Sequence, residues 1–424
     1  MLQTVIRKEH KNDWEKRVAL TPRDISDLRQ KGFPITVESS HIRIYSDKDY
    51  QASAIDTSAN VNDGQFVVGI KEPPVDSIQP NQVHLAFSHT IKGQTYNMPL
   101  LQKFIDQKAT LIDYEPIVDS NGKRTIAFGR FAGIAGAIDS FHAAGEKNWL
   151  NNKASPLTQI KQTWQYKNLQ DVKKSFADID LNIGLNAPNG KPVRVLIVGS
   201  GNVGKGCEEV CQWLGLQKVD VEELLSQETL EGNWYAVASS RHIHQAKDGS
   251  PFDMNDFVEH GKEKYVSTFD KLLGKFDILL QTPYWTDKYP KHLDRERMME
   301  FRNQLPDVIG DISCDINGSL ECTQKPSCID NPIYTYFVES DSIVDGIKPE
   351  GIAVMAIDNL PCELSLDASD YFSERLKGYM PLLINMDLSQ PFENCGLTED
   401  LLNAVIVYNG NLTPKYHYLE KFLQ

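Results

Sequence analysis

The sequence predicts an α/β protein made of two domains with parallel sheets. The chain has 424 residues, whereas a single hydrophobic core stops growing near about 250–300 residues, so a second domain is expected. Short apolar runs alternate with helical stretches along the chain, and this alternation is typical of parallel strands joined by crossover helices. A glycine-rich turn at residues 199–204 lies between an apolar run and a helical stretch, which predicts a Rossmann-like domain.

The first third of the chain contains five predicted strands. They are read from apolar, β-branched runs, whose sequences are TVIRKE, ITVES, FVVGIKEP, VHLAFSH and TLIDYE. One predicted helix begins at Thr21 and Pro22, and another begins near Asn97. Residues 129–145 are rich in Gly and Ala, so we expect a helix that packs closely enough against its neighbours to need small residues.

A second series of strands follows a break at residues 186–192, where the sequence is NAPNGKP. Its apolar runs repeat the pattern of strand and helix, and their sequences are VRVLIV, WYAVASS, FDILLQT, DVIGDIS and GIAVMAIDNLP. A helix is predicted from about Asp370. The second series therefore predicts another parallel sheet.

The composition indicates an acidic globular protein that binds small molecules. Lys and Arg number 44 against 58 Asp and Glu, a formal charge of −14, so nucleic acid and anionic membrane surfaces are poor partners. No window has the roughly 18–20 apolar residues of a membrane helix, and the N-terminus resembles no secretory signal, so we expect a cytoplasmic protein. The seven cysteines include no C-x-x-C pair, which favours free thiols and no metal site. The oligomeric state stays open.

The glycine turn predicts a dinucleotide site. In the G-x-G-x-x-G pattern, Gly199 allows the tight turn, Gly201 lets the backbone approach a pyrophosphate, and Gly204 allows close helix packing. The phosphates would bind the free N–H groups at the helix N-terminus. The residues expected to contact the coenzyme here are Gly199, Ser200, Gly201, Asn202, Val203 and Gly204.

The choice between NAD and NADP stays open. Asp220 lies 21 positions beyond Gly199, where an acidic residue would bind the ribose hydroxyls of NAD. Arg241 follows the next strand-like run, and an arginine there could accept the 2′-phosphate of NADP. The two residues indicate opposite preferences.

The first domain supplies cations and proton-transfer groups near its strand ends. Ligands of parallel sheets bind beyond the carboxyl ends of the strands, and several ionisable residues follow apolar runs there. A carboxylate substrate requires a guanidinium or ammonium group, and a group that titrates near neutral pH would move the proton. The candidates are Arg17, Lys71, His89, Arg124 and Arg130.

Nine motifs occur in an order that resembles a known family. Five of them resemble the alanine dehydrogenase and saccharopine dehydrogenase superfamily: RVALTP at 17–22, GIKEPP at 69–74, FSHTIK at 87–92, the glycine turn and DISCDING at 311–318. Four more are most similar to its lysine-ketoglutarate reductase branch, also called L-lysine-forming saccharopine dehydrogenase: LIDYE at 111–115, AFGRFAG at 127–133, SRHIH at 240–244 and AIDNLP at 356–361.

The resemblance implies a reversible reaction in which saccharopine, NAD or NADP, and water give lysine, 2-oxoglutarate and the reduced coenzyme. It implies that Lys71 and His89 are the acid–base pair. Further roles are implied for residues that match family positions. Glu72 and Glu115 would tune the pair, Arg17 and Arg124 would bind substrate carboxylates, and Asp315 would lie near the nicotinamide. Arg130 fits the substrate chemistry without a firm position in the family pattern.

The resemblance also implies the domain organisation. Residues 1–135 and 346–424 would form a discontinuous substrate domain, residues 136–345 would form the dinucleotide domain, and a cleft would lie between the two Rossmann-like domains. Two alternatives to this function stay open. One is an alanine- or opine-type dehydrogenase acting on a smaller 2-oxo acid, and the other is a coenzyme-binding regulator without catalysis, which retention of Lys71 and His89 disfavours.

Overall fold

The protein forms two compact units, each built on its own sheet. A computed structural model describes residues 1–227 and 230–423. The first unit contains residues Met1–Phe128 and Ser365–Gln424, and the second contains Gly129–Leu364. The chain thus leaves the first unit once and returns to it, as a discontinuous domain does.

The described strands and helices alternate along most of the chain. The strands are β1 (Thr4–Ile6), β2 (Ile35–Val37), β3 (Phe66–Val68), β4 (Val83–Ala86), β5 (Thr110–Asp113), β6 (Arg194–Val198), β7 (Gln217–Lys218), β8 (Trp234–Ala238), β9 (His244–Ala246), β10 (Tyr265–Ser267), β11 (Ile278–Gln281), β12 (Val308–Asp311), β13 (Ile333–Phe337), β14 (Ser342–Asp345), β15 (Ile352–Met355), β16 (Val405–Tyr408) and β17 (Asn411–Leu412). The α-helices are α1 (Pro22–Gln30), α2 (Asp47–Ala52), α3 (Met98–Asp106), α4 (Gly129–Leu150), α5 (Leu169–Ala177), α6 (Ile183–Asn186), α7 (Asn202–Trp213), α8 (Val221–Ser226), α9 (Ser240–Ile243), α10 (Met254–His260), α11 (Arg295–Glu300), α12 (Ser365–Lys377), α13 (Met380–Ile384) and α14 (Glu399–Leu402).

The sheet of the first unit has the strand order β17-β16-β5-β4-β3-β1-β2. Strands β1 to β5 pair in parallel, and β16 and β17 add an antiparallel edge. The parallel strands are buried along almost their whole length, because parallel sheets are covered on both faces. The five strands predicted for this part of the chain are confirmed.

The sheet of the second unit has the strand order β14-β13-β15-β12-β11-β6-β8-β7. The strands from β15 to β7 in this order are parallel, whereas β13 and β14 are antiparallel. Strands β9 and β10 form a separate antiparallel pair. The predicted fold class, α/β with two Rossmann-like parallel sheets, is confirmed.

The unit boundaries differ from the predicted ones. The structure assigns α4 and β15 to the second unit, although the prediction placed residues up to 135 and from 346 onward in the substrate domain. The physical reason is that β15 pairs with β12 inside the second sheet. Helix α4 packs along α7, and a methyl group added at Gly133 or Gly206 would overlap a backbone carbonyl of the other helix. The prediction that residues 129–145 need small side chains for packing is therefore confirmed.

The described part of the chain contains no helix that is long and apolar enough to cross a membrane.

A pair of buried carboxyl groups joins α4 to the end of the second unit. Asp139 of α4 accepts a hydrogen bond from the Thr163 backbone N–H at 2.8 Å, and Glu363 accepts one from the Trp164 N–H at 3.3 Å. The two carboxyls face each other, and no described donor reaches Asp139 Oδ2 or Glu363 Oε1. We infer that one proton is shared by these two oxygens. Burial raises the pKa of both groups, and repulsion between the two carboxylates adds to the effect at Glu363.

The shared proton predicts a pH-dependent stability. Because the pKa of each carboxyl is raised in the folded state, the folded protein binds more protons than the unfolded chain. The free energy of unfolding therefore falls as pH rises above the ordinary carboxyl range, by about 1.4 kcal/mol per pH unit for each proton. Asp139→Asn, which donates a hydrogen bond without titrating, should flatten this dependence in thermal melts. An Asp178→Asn variant, which alters an exposed carboxylate of the same unit, should leave it unchanged; equal slopes for both variants would contradict the shared proton.

Candidate active site

The carboxyl ends of β1, β3, β4 and β5 lie at one edge of the first sheet. These strands are neighbours and parallel, so the residues that follow them meet there. The ionisable residues in these positions are Glu9, Lys11, Lys71, Glu72, His89 and Glu115. The structure thus places the predicted pair Lys71 and His89, and the predicted Glu72 and Glu115, at this common edge.

Glu72 lies at the centre of this group of charges. Its Oε1 is 3.4 Å from Lys11 Nζ, and its Oε2 is 3.6 Å from His89 Nδ1. Burial alone would raise the pKa of Glu72, but its own backbone N–H and the charges of Lys11, His89 and Lys71 outweigh burial, so the pKa is lowered. Glu72 is therefore a carboxylate that lies between the Lys11 ammonium group and the His89 imidazole.

His89 has a lowered pKa, which favours the neutral imidazole. Burial is the largest cause, and the positive charges of Lys71 and Lys11 act in the same direction. The carboxylates Glu72 and Glu115 oppose the shift without reversing it. A neutral imidazole can accept a proton, as a general base must.

The backbone holds His89 in a conformation that is rare for a residue other than glycine. Its φ angle is +53°, in the left-handed region. The preceding residue, Ser88, is fixed by Asp113, which accepts hydrogen bonds from the Ser88 backbone N–H at 2.8 Å and from its hydroxyl at 2.5 Å. On the other side, Asn97 donates to the His89 carbonyl at 3.0 Å. Such an outlier often marks a functional site when its surroundings fix it.

Asp113 is a residue that the sequence analysis missed. It is fully buried at the end of β5, and burial raises its pKa to about 6. Besides Ser88, it accepts a hydrogen bond from the Glu115 backbone N–H at 2.7 Å. Asp113 therefore fixes the backbone after β4 and after β5. Its sequence signal was an acidic residue ending an apolar run.

Arg17, a predicted ligand of substrate carboxylates, forms a buried ion pair with Glu15. Its Nε and Nη2 donate to the two carboxylate oxygens at 2.7 and 2.5 Å, and both side chains are almost fully buried. The guanidinium also lies over the Phe128 ring, 4.2 Å from its centroid. A substrate carboxylate at Arg17 would thus share the guanidinium with Glu15.

Arg124, the second predicted carboxylate ligand, pairs with Glu115. Half of the Arg124 side chain is exposed, whereas Glu115 is largely covered. An exposed ion pair of this kind contributes little free energy, about 0–1 kcal/mol. Arg124 can therefore exchange Glu115 for another carboxylate at low cost.

A second buried pair, Arg7 and Glu9, was also missed by the sequence analysis. Glu9 accepts hydrogen bonds from the backbone N–H groups of Ile70 and Lys71, at 2.7 and 3.0 Å. Arg7 lies 3.3 Å from Glu9 and donates to the Lys71 carbonyl. The pair therefore fixes the backbone at Lys71. The sequence signal for this pair was the charged run directly after β1. Lys71 was predicted because it follows a strand, and the same argument applies to Glu9 and Lys11.

The structure places Arg130 in the second unit, which corrects its assignment to the first domain. Arg130 lies in the first turn of α4 and donates from Nε and Nη2 to Glu209 of α7, at 2.5 and 2.6 Å. Its prediction as a substrate ligand rested on placing residues up to 135 in the substrate domain. The bidentate pair with Glu209 joins two helices of the second unit.

The glycine turn has the geometry that a dinucleotide requires. Gly199 has a φ of +98°, Gly201 has open space where a side chain would lie, and a methyl group at Gly204 would overlap the Gly199 carbonyl. Gly201 caps α7 without a side-chain hydrogen bond, so the first N–H groups of that helix can bind phosphate.

A cavity of about 390 Å³ opens beside this turn. Its walls are the glycine turn, the residues after β8 and β11, and aromatic side chains, among them Phe257, Tyr284, Trp285 and Tyr289. Ser200, Asn202 and Val203 line it as well. A turn that exposes N–H groups beside a partly aromatic cavity fits a nicotinamide dinucleotide.

The strand order places Asp220 away from the position expected for the ribose ligand. Asp220 follows β7, which pairs with β8 at the edge of the sheet. The strand next to β6 is β8, and it is followed by Ser239, Ser240 and Arg241. Arg241 therefore has the position that the sequence analysis gave to Asp220. The short strand β7 between α7 and α8 causes the difference.

Arg241 is exposed and contacts Glu222 of α8. Its Nη2 is 3.4 Å from Glu222 Oε1, and both side chains are about two-thirds exposed. His242 Nε2 lies 3.2 Å from the same carboxylate oxygen. The backbone N–H of Glu222 lowers the pKa of its own carboxyl group most, and the charges of His242 and Arg241 lower this pKa further.

Asp315 fixes a wall of the cavity. Its Oδ2 accepts a hydrogen bond from the Trp285 backbone N–H at 3.0 Å, and Trp285 lines the cavity. Asp315 follows β12, two strands from β6. Its predicted position near the nicotinamide stays a prediction, and the structure gives it a role in holding the loop after β11.

The comparisons with known proteins first define a fold. The structure is similar to a solved L-alanine dehydrogenase, with a TM-score of 0.65, 18% identity, and coverage of 99% of this chain and 100% of that chain. A transhydrogenase from Sinorhizobium meliloti has a TM-score of 0.60 at 14% identity, covering 97% of this chain and 99% of that chain. The fold is therefore that of the alanine dehydrogenases.

Sequence relatives then define the family. Residues 5–135 match the family described as alanine dehydrogenase/PNT, N-terminal domain. The alpha-aminoadipic semialdehyde synthase of Bos taurus is 30% identical over 98% of this chain, and the chain spans 47% of that protein. An L-lysine-forming, NAD(+) saccharopine dehydrogenase of Emericella nidulans is 28% identical over 92% of this chain and 94% of its own length. The resemblance to the alanine dehydrogenase and saccharopine dehydrogenase superfamily, predicted from the motifs, is confirmed.

The contact between Glu72 and His89 predicts the direction of a pKa change. Glu72→Gln removes the carboxylate that favours the imidazolium, so the pKa of His89 should fall further. A partly exposed ion pair is worth about 0.2–1 kcal/mol, which corresponds to a fall of about 0.1–0.7 pH units. NMR titration of the ring measures the pKa of His89. The ring signal of His89 is identified as the one that is absent in His89→Gln. Asp27→Asn, which removes a carboxylate paired with Lys377, is the control; an unchanged or raised pKa in Glu72→Gln would contradict the assigned contact.

Proposed function

We propose that the protein is a saccharopine dehydrogenase that forms lysine, an oxidoreductase of lysine metabolism. Saccharopine, the oxidised coenzyme and water would give lysine, 2-oxoglutarate and the reduced coenzyme. One observation carries the proposal: a partly buried histidine, a lysine and a carboxylate meet at the strand ends of the first unit, in a chain related to saccharopine dehydrogenases over most of their length. The coenzyme, when bound, supplies the acceptor for hydride.

In this proposal His89 and Lys71 move the protons. The secondary amine of saccharopine must lose a proton as hydride leaves the neighbouring carbon, and neutral His89 would accept it. Water then attacks the resulting imine, and the carbinolamine collapses to lysine and 2-oxoglutarate. Lys71, whose backbone the Glu9 and Arg7 pair fixes, would give and take the proton in these later steps. The Glu72 carboxylate would balance the positive charge that His89 and Lys71 carry during these steps.

The cations of the first unit would bind the carboxylates of the substrate. Saccharopine carries three carboxylates, and three cations of the first unit have a carboxylate partner on this chain: Lys11 has Glu72, Arg17 has Glu15, and Arg124 has Glu115. The exposed pair at Arg124 is the one that a substrate could open most readily. Arg17 is buried together with Glu15. Its guanidinium would bind Glu15 and a substrate carboxylate at the same time, and would thereby orient the substrate.

We infer that NADP(H) is the preferred coenzyme. In Rossmann folds the residue after the strand next to the glycine turn meets the adenosine ribose, and Arg241 follows that strand here. Its pair with Glu222 is exposed, so a 2′-phosphate could replace the carboxylate at low cost. The name of the Emericella nidulans relative specifies NAD(+), and the experiments below separate the two coenzymes.

The first experiment measures oxidation of reduced coenzyme. We expect loss of the absorbance of reduced nicotinamide with lysine and 2-oxoglutarate, and faster loss with NADPH than with NADH. His89→Ala should reduce turnover by about 10²–10⁴-fold, the usual contribution of a general acid or base, while leaving the coenzyme dissociation constant unchanged. No turnover with lysine and 2-oxoglutarate in either coenzyme would overturn the proposal. Turnover with pyruvate and ammonia instead would favour an alanine-type dehydrogenase.

The second experiment measures coenzyme binding without catalysis. Replacing Arg241 with Ala removes a charged hydrogen-bond donor, worth about 1.5–3 kcal/mol, so the dissociation constant of NADPH should rise by about 10- to 150-fold. That of NADH should change little. Fluorescence of the bound reduced coenzyme gives both constants. Arg295→Ala, at an arginine paired with Asp341 in the same unit, is the matched control. Equal losses for both coenzymes would assign Arg241 to another part of the site.

A further inference from the structure

The C-terminal segment Pro414–Phe422 packs against the loop that carries His89. This loop, residues 88–97, connects β4 to the helix α3 and contains a tight turn in which the Gly93 N–H bonds to the Thr90 carbonyl at 3.0 Å. Tyr418 Oη donates to the Ile91 carbonyl at 2.6 Å. The ring of Phe422 lies directly against Gly93, where a side-chain carbon would overlap it. Two aromatic residues more than 320 positions downstream thus contact the loop.

The segment itself is firmly anchored, so it can act as a fixed support. Tyr416 and Leu419 are buried in the cluster formed by α3, β5 and β16, against which Ile91 also packs. Tyr416 Oη donates to the Asn403 carbonyl at 2.8 Å. Tyr418 lies between these buried residues and Phe422 follows them; both are exposed in part, and both contact the loop.

The loop needs such a support because of the backbone of His89. Its φ of +53° is unfavourable for a residue with a side chain. Ser88 is held by Asp113 on one side, and Asn97 holds the His89 carbonyl on the other. Neither contact restrains Ile91 and Gly93, which lie in the middle of the loop. The C-terminal segment supplies that restraint.

We propose that Tyr418, together with Phe422, is a positioning residue for His89. The proposal rests on the proposed role of His89 as the group that accepts the substrate proton. Tyr418 does not touch substrate in this scheme. Its hydroxyl fixes the Ile91 carbonyl, the loop keeps its turn, and the imidazole of His89 stays in its partly buried position beside Glu72 and Lys71.

The main test compares two tyrosines of the same region. Tyr418→Phe removes only the hydroxyl that binds Ile91. Tyr96→Phe removes a hydroxyl that binds Gln94 within the loop itself, and it is the control. We expect Tyr418→Phe to lower kcat by roughly 2- to 10-fold, the population shift of one lost hydrogen bond. The dissociation constant of NADPH should not change, and Tyr96→Phe should behave as the parent protein.

A second readout does not depend on activity. When the loop loosens, the His89 ring becomes more hydrated and lies farther from Lys71, so its pKa, measured by NMR, should rise toward the ordinary value in Tyr418→Phe. The charged groups that act on this ring are Lys71, Glu72, Lys11 and Glu115, and the variant alters none of them. Phe422→Ala should give the same shift, and Phe422→Leu, which keeps an apolar contact with Gly93, should restore most of the parent value.

The outcomes separate this proposal from the proposed function. If the parent protein has no turnover with lysine and 2-oxoglutarate, the His89 titration still tests the support by the C-terminal segment. An unchanged His89 pKa in both Tyr418→Phe and Phe422→Ala would overturn the positioning role. A fall in melting temperature with no change in the His89 pKa or in kcat would also overturn it, since the contacts would then serve stability alone.

Discussion

The parallel alignment of β1, β3, β4 and β5 is the constraint on which the candidate site depends. Parallel neighbours end at one edge, so residues from four separate parts of the chain meet there. The strands are three or four residues long, and an ionisable residue follows each of them within three residues: Arg7, Lys71, His89 and Glu115. A shift of one residue in any strand would turn its side chains to the other face of the sheet.

The charges at this edge are balanced in pairs, and the pairs differ in burial. Arg7 with Glu9 and Arg17 with Glu15 are buried and act on the backbone or on aromatic rings. Breaking such a pair would leave an uncompensated buried charge, which is costly. Lys11 with Glu72 and Arg124 with Glu115 are more exposed. In the proposed function the exposed pairs would open for an anionic substrate, in a chain whose formal charge is −14, and the buried pairs would keep the backbone fixed.

Much of the fold, and part of the site, could be predicted from the sequence. Lys71, His89 and Glu115 each follow an apolar run, and that position alone indicates the carboxyl edge of a parallel sheet. Asp113 was missed because it ends the run and reads as part of the strand. The position expected for Asp220 differs from the structure because spacing along the chain does not show that a two-residue edge strand, β7, precedes the strand that pairs with β6.

Contacts between residues that lie far apart in the sequence could not be predicted from sequence patterns. Nothing in the residues 414–422 indicates that they pack against a loop near residue 91, because such a contact depends on where β16 joins the sheet. Strand β16 pairs antiparallel with β5, which brings the C-terminal segment beside α3 and the His89 loop. In this proposal the strained backbone of His89 is maintained by residues from both segments of the first unit. A fixed histidine of this kind can stay neutral in a partly buried site, since the loop that carries it cannot easily move the ring into solvent.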